Sequence, residues 1–98
     1  MYAAAIDRRA WAWATCPDGH HRDGERAVES ATRACELSGW KQARFIATLA
    51  AAHAEAGDFA KAVEYQRRAN DLYAVPNDRA RGEERLALYQ DGKPYRDE

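Results

Sequence analysis

The sequence predicts an all-α fold of about five helices, arranged as helical hairpins stacked side by side. The 98 residues are rich in alanine and poor in β-branched residues, a composition that favours helices. Apolar residues recur three or four positions apart, which is the spacing of one helix face. The chain also repeats itself at an interval of 35 residues, and such a period is typical of stacked helix pairs.

The repeat is clearest in the second helix of each pair. RAVESATRACEL, residues 26–37, aligns with KAVEYQRRANDL, residues 61–72, and Asp23 recurs as the predicted helix cap Asp58. Small side chains on one stripe of such a helix let neighbouring backbones approach closely. In the second repeat the predicted stripe consists of Ala62, Val63, Gln66, Ala69 and Leu72.

The first helix of each pair lies upstream of these segments. FIATLAAAHAEAG is predicted to be a helix that ends at Gly57, because glycine readily adopts the left-handed conformation that terminates helices. YAAAIDRRAWAWAT is its predicted equivalent, and Trp11 is aligned with Leu49 at an offset of 38. The difference from 35 implies a three-residue insertion in the turn CPDGHHRDG.

These elements predict one domain over residues 1–92. The first repeat is placed at about residues 3–38, ending near Gly39, and the second at about residues 42–74. After Pro76, a capping helix is expected at about residues 77–91, starting at Asn77 or Asp78. The remaining residues 93–98 are expected to form an extended tail.

Charge and hydropathy exclude several classes of partner. The 15 lysines and arginines against 16 aspartates and glutamates give a net charge of -1, which provides no long-range attraction to nucleic acid. No apolar run approaches the roughly 18 residues of a membrane span, and charges interrupt the N-terminal segment where a signal peptide would be apolar. Cys16 and Cys35 are predicted to lie too far apart to form a disulfide. We therefore expect a cytoplasmic protein with no nucleic-acid or membrane partner.

The motifs LAxxH and GDFxKAVEYxxRAxxL, followed by a proline, resemble the tetratricopeptide repeat, a helix-turn-helix unit of 34 residues. In the second repeat the family's pattern is met by Leu49, Ala50, Gly57, Phe59, Ala62, Ala69 and, two places late, Pro76. The first repeat matches in its second helix but has a longer turn. The resemblance covers residues 3 to 74, with His53 and Gln66 where the family often has aromatic residues.

The resemblance implies a right-handed α-α superhelix that binds a peptide or protein in a concave groove and is not catalytic. First helices line that groove in the family. The positions that match are Arg9, Trp13 and approximately Cys16 in the first repeat, and Arg44, Ala47, Thr48, Ala51 and Glu55 in the second. Some members grip a C-terminal carboxylate with lysine and asparagine, and the alanines at those positions, 47 and 51, argue against such a clamp here.

Two chemical alternatives start from the cluster Cys16, His20 and His21. It resembles a zinc site only loosely, because Cys35 is too distant to supply a further ligand. A thiol nucleophile with an imidazole base would need an orienting carboxylate and an oxyanion site, and neither is evident. We therefore expect no metal, no cofactor and no catalysis, and we expect His53 to be a packed residue.

A structural role in oligomerisation is the alternative to peptide binding. The first helix has no helix in front of it, so Tyr2, Ile6 and Trp11 are expected to expose apolar surface. Such an edge favours a second copy of the chain or a larger partner. The alternative function is therefore an oligomerisation module, either by itself or as the C-terminal piece of a longer protein.

Overall fold

The computed structural model describes residues 2–15 and 23–95, and this part of the chain forms five helices without any strand. They are α1 (Tyr2–Thr15), α2 (Gly24–Leu37), α3 (Ala43–Glu55), α4 (Phe59–Leu72) and α5 (Pro76–Gln90). The predicted all-α fold is confirmed. Among these helices, none combines the length and the apolar character that crossing a bilayer requires.

Local hydrogen bonds at the helix ends explain the helix boundaries. The Asp58 side chain accepts from the Lys61 amide at 3.2 Å, and Asp23 makes the same N-cap bond one repeat earlier. At the C-terminal ends of α2 and α3, Gly39 and Gly57 have positive φ angles of 70° and 90°. Both predicted caps and both predicted helix ends are confirmed.

The start of α5 differs from the prediction. Val75 is the residue before the helix and Pro76 is its first residue, whereas Asn77 or Asp78 was the expected start. Proline suits this position because its φ angle is already helical and the amide it lacks would have no partner within the helix.

Consecutive helices pack against each other, and α1 also packs against α3. The connections after α2, α3 and α4 are short, so neighbouring helices run antiparallel. At the contacts between helices, the repeated alanines are completely buried, as the predicted close approach requires: Ala27, Ala34, Ala62 and Ala69. The prediction for the end of the stripe was wrong, because Leu72 is 47% exposed and its counterpart Leu37 is 55% exposed.

The first hairpin has a different register from the predicted one. The Asp23 amide donates to the Trp13 carbonyl and the Asp58 amide donates to the His53 carbonyl, so α1 corresponds to α3 at an offset of 40 and α2 corresponds to α4 at an offset of 35. The insertion between these bonded positions in the first hairpin is therefore five residues, not three. This difference moves the α1 side chains by two positions relative to the predicted alignment.

Candidate functional site: a groove between three helices

A groove of about 560 Å³ lies between α1, α3 and α5. This volume is in the range of sites that hold small molecules or peptide side chains. Twelve residues line it: Asp7, Arg8, Trp11, Arg44, Ala47, Thr48, Tyr73, Arg81, Glu84, Arg85, Leu88 and Tyr95. The lining therefore comes from three helices, the connection between α4 and α5, and the segment that follows α5.

An ion pair across the groove joins α1 to α3. Asp7 is only 2% exposed, and its Oδ2 accepts a hydrogen bond from Arg44 Nε at 3.3 Å. Burial raises the pKa of the Asp7 carboxyl above its ordinary value, and the Thr48 hydroxyl and the Arg44 guanidinium oppose this effect. The Arg44 side chain is 65% exposed, so its guanidinium is accessible from the groove.

In the groove lining, the Arg85 guanidinium lies beside two aromatic rings that also contact each other. The Arg85 guanidinium lies 4.9 Å from the centroid of the Trp11 ring and 4.8 Å from that of Tyr95. The two rings are themselves 5.6 Å apart and tilted by 41°. Such contacts combine cation–π attraction with aromatic packing. They connect α1, α5 and the segment that follows α5.

The groove carries more positive than negative side chains. Its cationic residues are Arg8, Arg44, Arg81 and Arg85, whereas its carboxylates are Asp7 and Glu84. Arg8, Arg44 and Arg81 are exposed, and guanidinium groups bind carboxylates through two parallel hydrogen bonds. The groove is therefore suited to a ligand that carries negative charge.

The structure brings together only some of the residues that the family pattern placed in a groove. Arg44, Ala47 and Thr48 line it. Arg9 instead lines a separate depression of about 260 Å³ between α1 and α2. Trp13 lies near two guanidiniums, those of Arg9 and Arg26, each 5.9 Å from its ring.

The remaining expected groove residues lie elsewhere. Ala51 is buried in an alanine cluster with Ala14 and Ala27, and Glu55 lies at the end of α3, outside the groove lining. Cys16 lies outside the described residues. The shift in register explains why Arg9 and Trp13 lie outside the groove. At an offset of 40, the residues aligned with Ala47 and Ala51 are Asp7 and Trp11.

Sequence reasoning placed the wrong residues of α1 in the groove although a signal for the correct register was present. At an offset of 40, five residues of α1 are identical to residues of α3: Ala3, Ile6, Ala10, Ala12 and Ala14 correspond to Ala43, Ile46, Ala50, Ala52 and Ala54. No comparable repeat pointed to Arg85 or Tyr95, because their contact with Trp11 depends on the packing of the whole stack.

Nothing in the described part of the chain supports the zinc site or the thiol nucleophile considered from the sequence. His20 and His21 lie outside it, and within residues 2–15 and 23–95 no three metal-binding side chains come together. Cys35 is buried, and burial raises the pKa of its thiol to about 12, which keeps it protonated. His53 stacks on Tyr65 with ring centroids 5.5 Å apart, and burial lowers the pKa of its imidazole.

Comparison with known proteins does not assign a function to the groove. The resemblance to tetratricopeptide repeats rests on the residues of this chain alone. The chain matches no protein-family model, no curated protein and no solved structure.

Proposed function

We propose that this chain is a tetratricopeptide-like scaffold that binds a peptide or protein segment in the groove between α1, α3 and α5. In this proposal the hairpins form a right-handed superhelix, and the protein is a cytoplasmic binding module rather than an enzyme. The observation that carries the proposal is the groove itself, in which four arginines face two carboxylates beside an aromatic cluster.

The construction of the groove supports binding of a peptide. Its side chains come mainly from helices that pack through fully buried alanines, so the lining is held by a rigid frame. Exposed guanidiniums such as those of Arg44 and Arg81 can donate to the carboxylates and backbone carbonyls of an extended segment.

The ionisable groups of the groove support a role without catalysis. The residues Asp7 and Arg44 are paired with each other, as expected for groups that fix the geometry of a surface. The buried free thiol of Cys35 suits a reducing compartment and supports the cytoplasmic location.

Selection from a random peptide display library on the full chain tests the proposal. Selected peptides are then titrated against Arg8→Glu and Arg81→Glu, which reverse exposed charges inside the groove, and against the control Arg33→Glu. Arg33 is an exposed residue of α2 outside the groove lining. We expect each groove variant to weaken binding by about tenfold or more, and the control to have little effect.

A groove that binds nothing, or peptides that bind all three variants as tightly as the original chain, would contradict the proposal. The proteins' circular dichroism spectra and melting temperatures must remain similar, so that loss of binding is not loss of folding.

Self-association is a second candidate function, and a depression between α1 and α2 favours it. Ala5, Ile6 and Arg9 of α1 and Ser30 of α2 line this depression. Trp11, which we expected on the exposed edge of α1, instead lies in the groove. Light scattering at increasing concentration tests the candidate: a dimer that Ala5→Arg dissociates would support it, and a monomer at all concentrations would refute it.

A further inference from the structure

Tyr95 lies in the groove lining although it belongs to the segment after the last helix. Its ring contacts both Trp11 and Arg85. The backbone makes this placement possible, because the Lys93 amide donates to the Leu88 carbonyl at 2.9 Å and so directs the chain away from the helix axis at Gly92. Part of the groove is thus filled by the chain itself.

Tyr95 is half-buried beside the cluster that contains Tyr89, and its ring contacts with Trp11 and Arg85 are generic in chemistry. A cation–π or aromatic pair of this kind contributes little compared with the free energy of a folded domain. The Trp11 ring and the Arg85 guanidinium would present the same surfaces to any other aromatic side chain. Tyr95 can therefore be exchanged without unfolding α1 or α5.

The charges beside this position indicate what else an incoming segment carries. Arg8, Arg44 and Arg81 are exposed along the same groove and would attract carboxylates on either side of an aromatic residue. The chain's own segment matches these arginines only in part, because Lys93 and Pro94 precede Tyr95 and Arg96 separates it from Asp97 and Glu98.

We propose that the Trp11–Arg85 position receives an aromatic residue of an acidic partner peptide, and that Tyr95 is an internal occupant that this residue displaces. The inference rests on the proposed function and specifies it: the partner is an acidic segment with one aromatic residue, and its apparent affinity is reduced by the fraction of chains in which Tyr95 is in place.

The test measures fluorescence anisotropy of a labelled synthetic peptide, Glu-Asp-Tyr-Glu-Glu, titrated with the full 98-residue chain. Tyr95→Ala empties the position and is expected to tighten binding by about three- to tenfold, as for a site otherwise occupied in most molecules. Tyr95→Phe keeps the ring and is expected to bind like the original chain. A peptide with alanine in place of tyrosine is expected to show no gain from Tyr95→Ala.

A second variant separates displacement from a general change in the groove. Arg85→Gln combined with Tyr95→Ala removes one side of the aromatic position, and it is expected to abolish the gain. Circular dichroism melting of each variant reports whether the fold is retained.

Equal affinity of the original chain and Tyr95→Ala would overturn the inference while leaving groove binding intact. Absence of binding by both would overturn it as well, and the display selection would still decide the proposed function separately. Preferential binding of a ten-residue oligothymidine would also overturn it, because the partner would then be a nucleic acid.

Discussion

Gly82 of α5 lies directly against Asn70 of α4, so that a β-carbon at position 82 would collide with the Asn70 amide oxygen. Asn70 cannot easily move away, because it is only 6% exposed and accepts a hydrogen bond from Gln66 Nε2 at 2.9 Å. The added carbon would also lie 3.1 Å from the Tyr73 ring, which lines the groove. The approach of α5 to α4 therefore depends on the absence of a side chain.

Gly82→Ala is expected to destabilise the protein although alanine is the better helix former. The substitution gains about 1 kcal/mol in helix propensity, but breaking the buried Gln66–Asn70 hydrogen bond and straining the contact costs about 2–4 kcal/mol. Urea unfolding measures the difference, and Ala87→Gly, at an exposed position of the same helix, gives the propensity effect alone. A variant more stable than the original would show that α5 can move away from α4.

Ala62→Leu is expected to lower the free energy of unfolding by about 1–3 kcal/mol, because the added atoms have no space between α3 and α4. Ala62 is completely buried in contact with the α3 alanines and Tyr89. Ala60→Leu is the matched control, since Ala60 is an exposed residue of the same helix. Equal melting temperatures for the two variants would contradict the packing of this interface.

The pH dependence of stability is expected to change when Asp7 is replaced by asparagine. Because burial raises the pKa of Asp7 above 3.8, the protonated carboxyl stabilises the fold fully below that pH. This contribution is lost as the pH rises through the folded-state pKa. Asparagine cannot titrate, so the stability of the original chain relative to Asp7→Asn should fall as the pH rises from about 3.8.

Urea unfolding of both proteins between acid and neutral pH measures this change, with Asp71→Asn on the exposed face of α4 as control. A difference that is constant with pH, or that rises with pH, would show that the Arg44 guanidinium outweighs burial at Asp7.

Tyr89→Phe is expected to leave stability unchanged or to raise it by up to about 1 kcal/mol. Tyr89 is 1% exposed, and its hydroxyl has no hydrogen-bond partner within the described residues. Burial raises the pKa of this phenol, as expected for a group removed from water. Tyr89→Ala should instead cost about 3–5 kcal/mol, because it leaves a cavity. Thermal melts of the two variants separate the hydroxyl from the ring.

Local signals in the sequence were sufficient to predict the helices and where they end. Helix caps and glycine terminators act within a few residues, so Asp23, Asp58, Gly39 and Gly57 could be identified correctly. The buried alanines were also predictable, because a repeat that places small residues at one spacing twice indicates a repeated contact.

The groove was only partly predictable because it depends on relations between distant segments. The predicted register of α1 was wrong by two positions because it aligned Trp11 with Leu49. Aligning the alanines of α1 with those of α3 gives the observed offset of 40. The contact of Tyr95 with Trp11 joins residues from opposite ends of the chain and leaves no local trace in the sequence.

The Asp23 amide donates to the Trp13 carbonyl at 2.9 Å, which ties together the two ends of the longer connection. The hydrogen bond fixes where the chain leaves α1 and enters α2 regardless of how many residues intervene. Extending a loop with fixed ends costs only about 0.6 kcal/mol for each doubling of its length. An epitope or a reporter inserted between Thr15 and Asp23 is therefore expected to leave the packing of α1 against α2 and α3 in place.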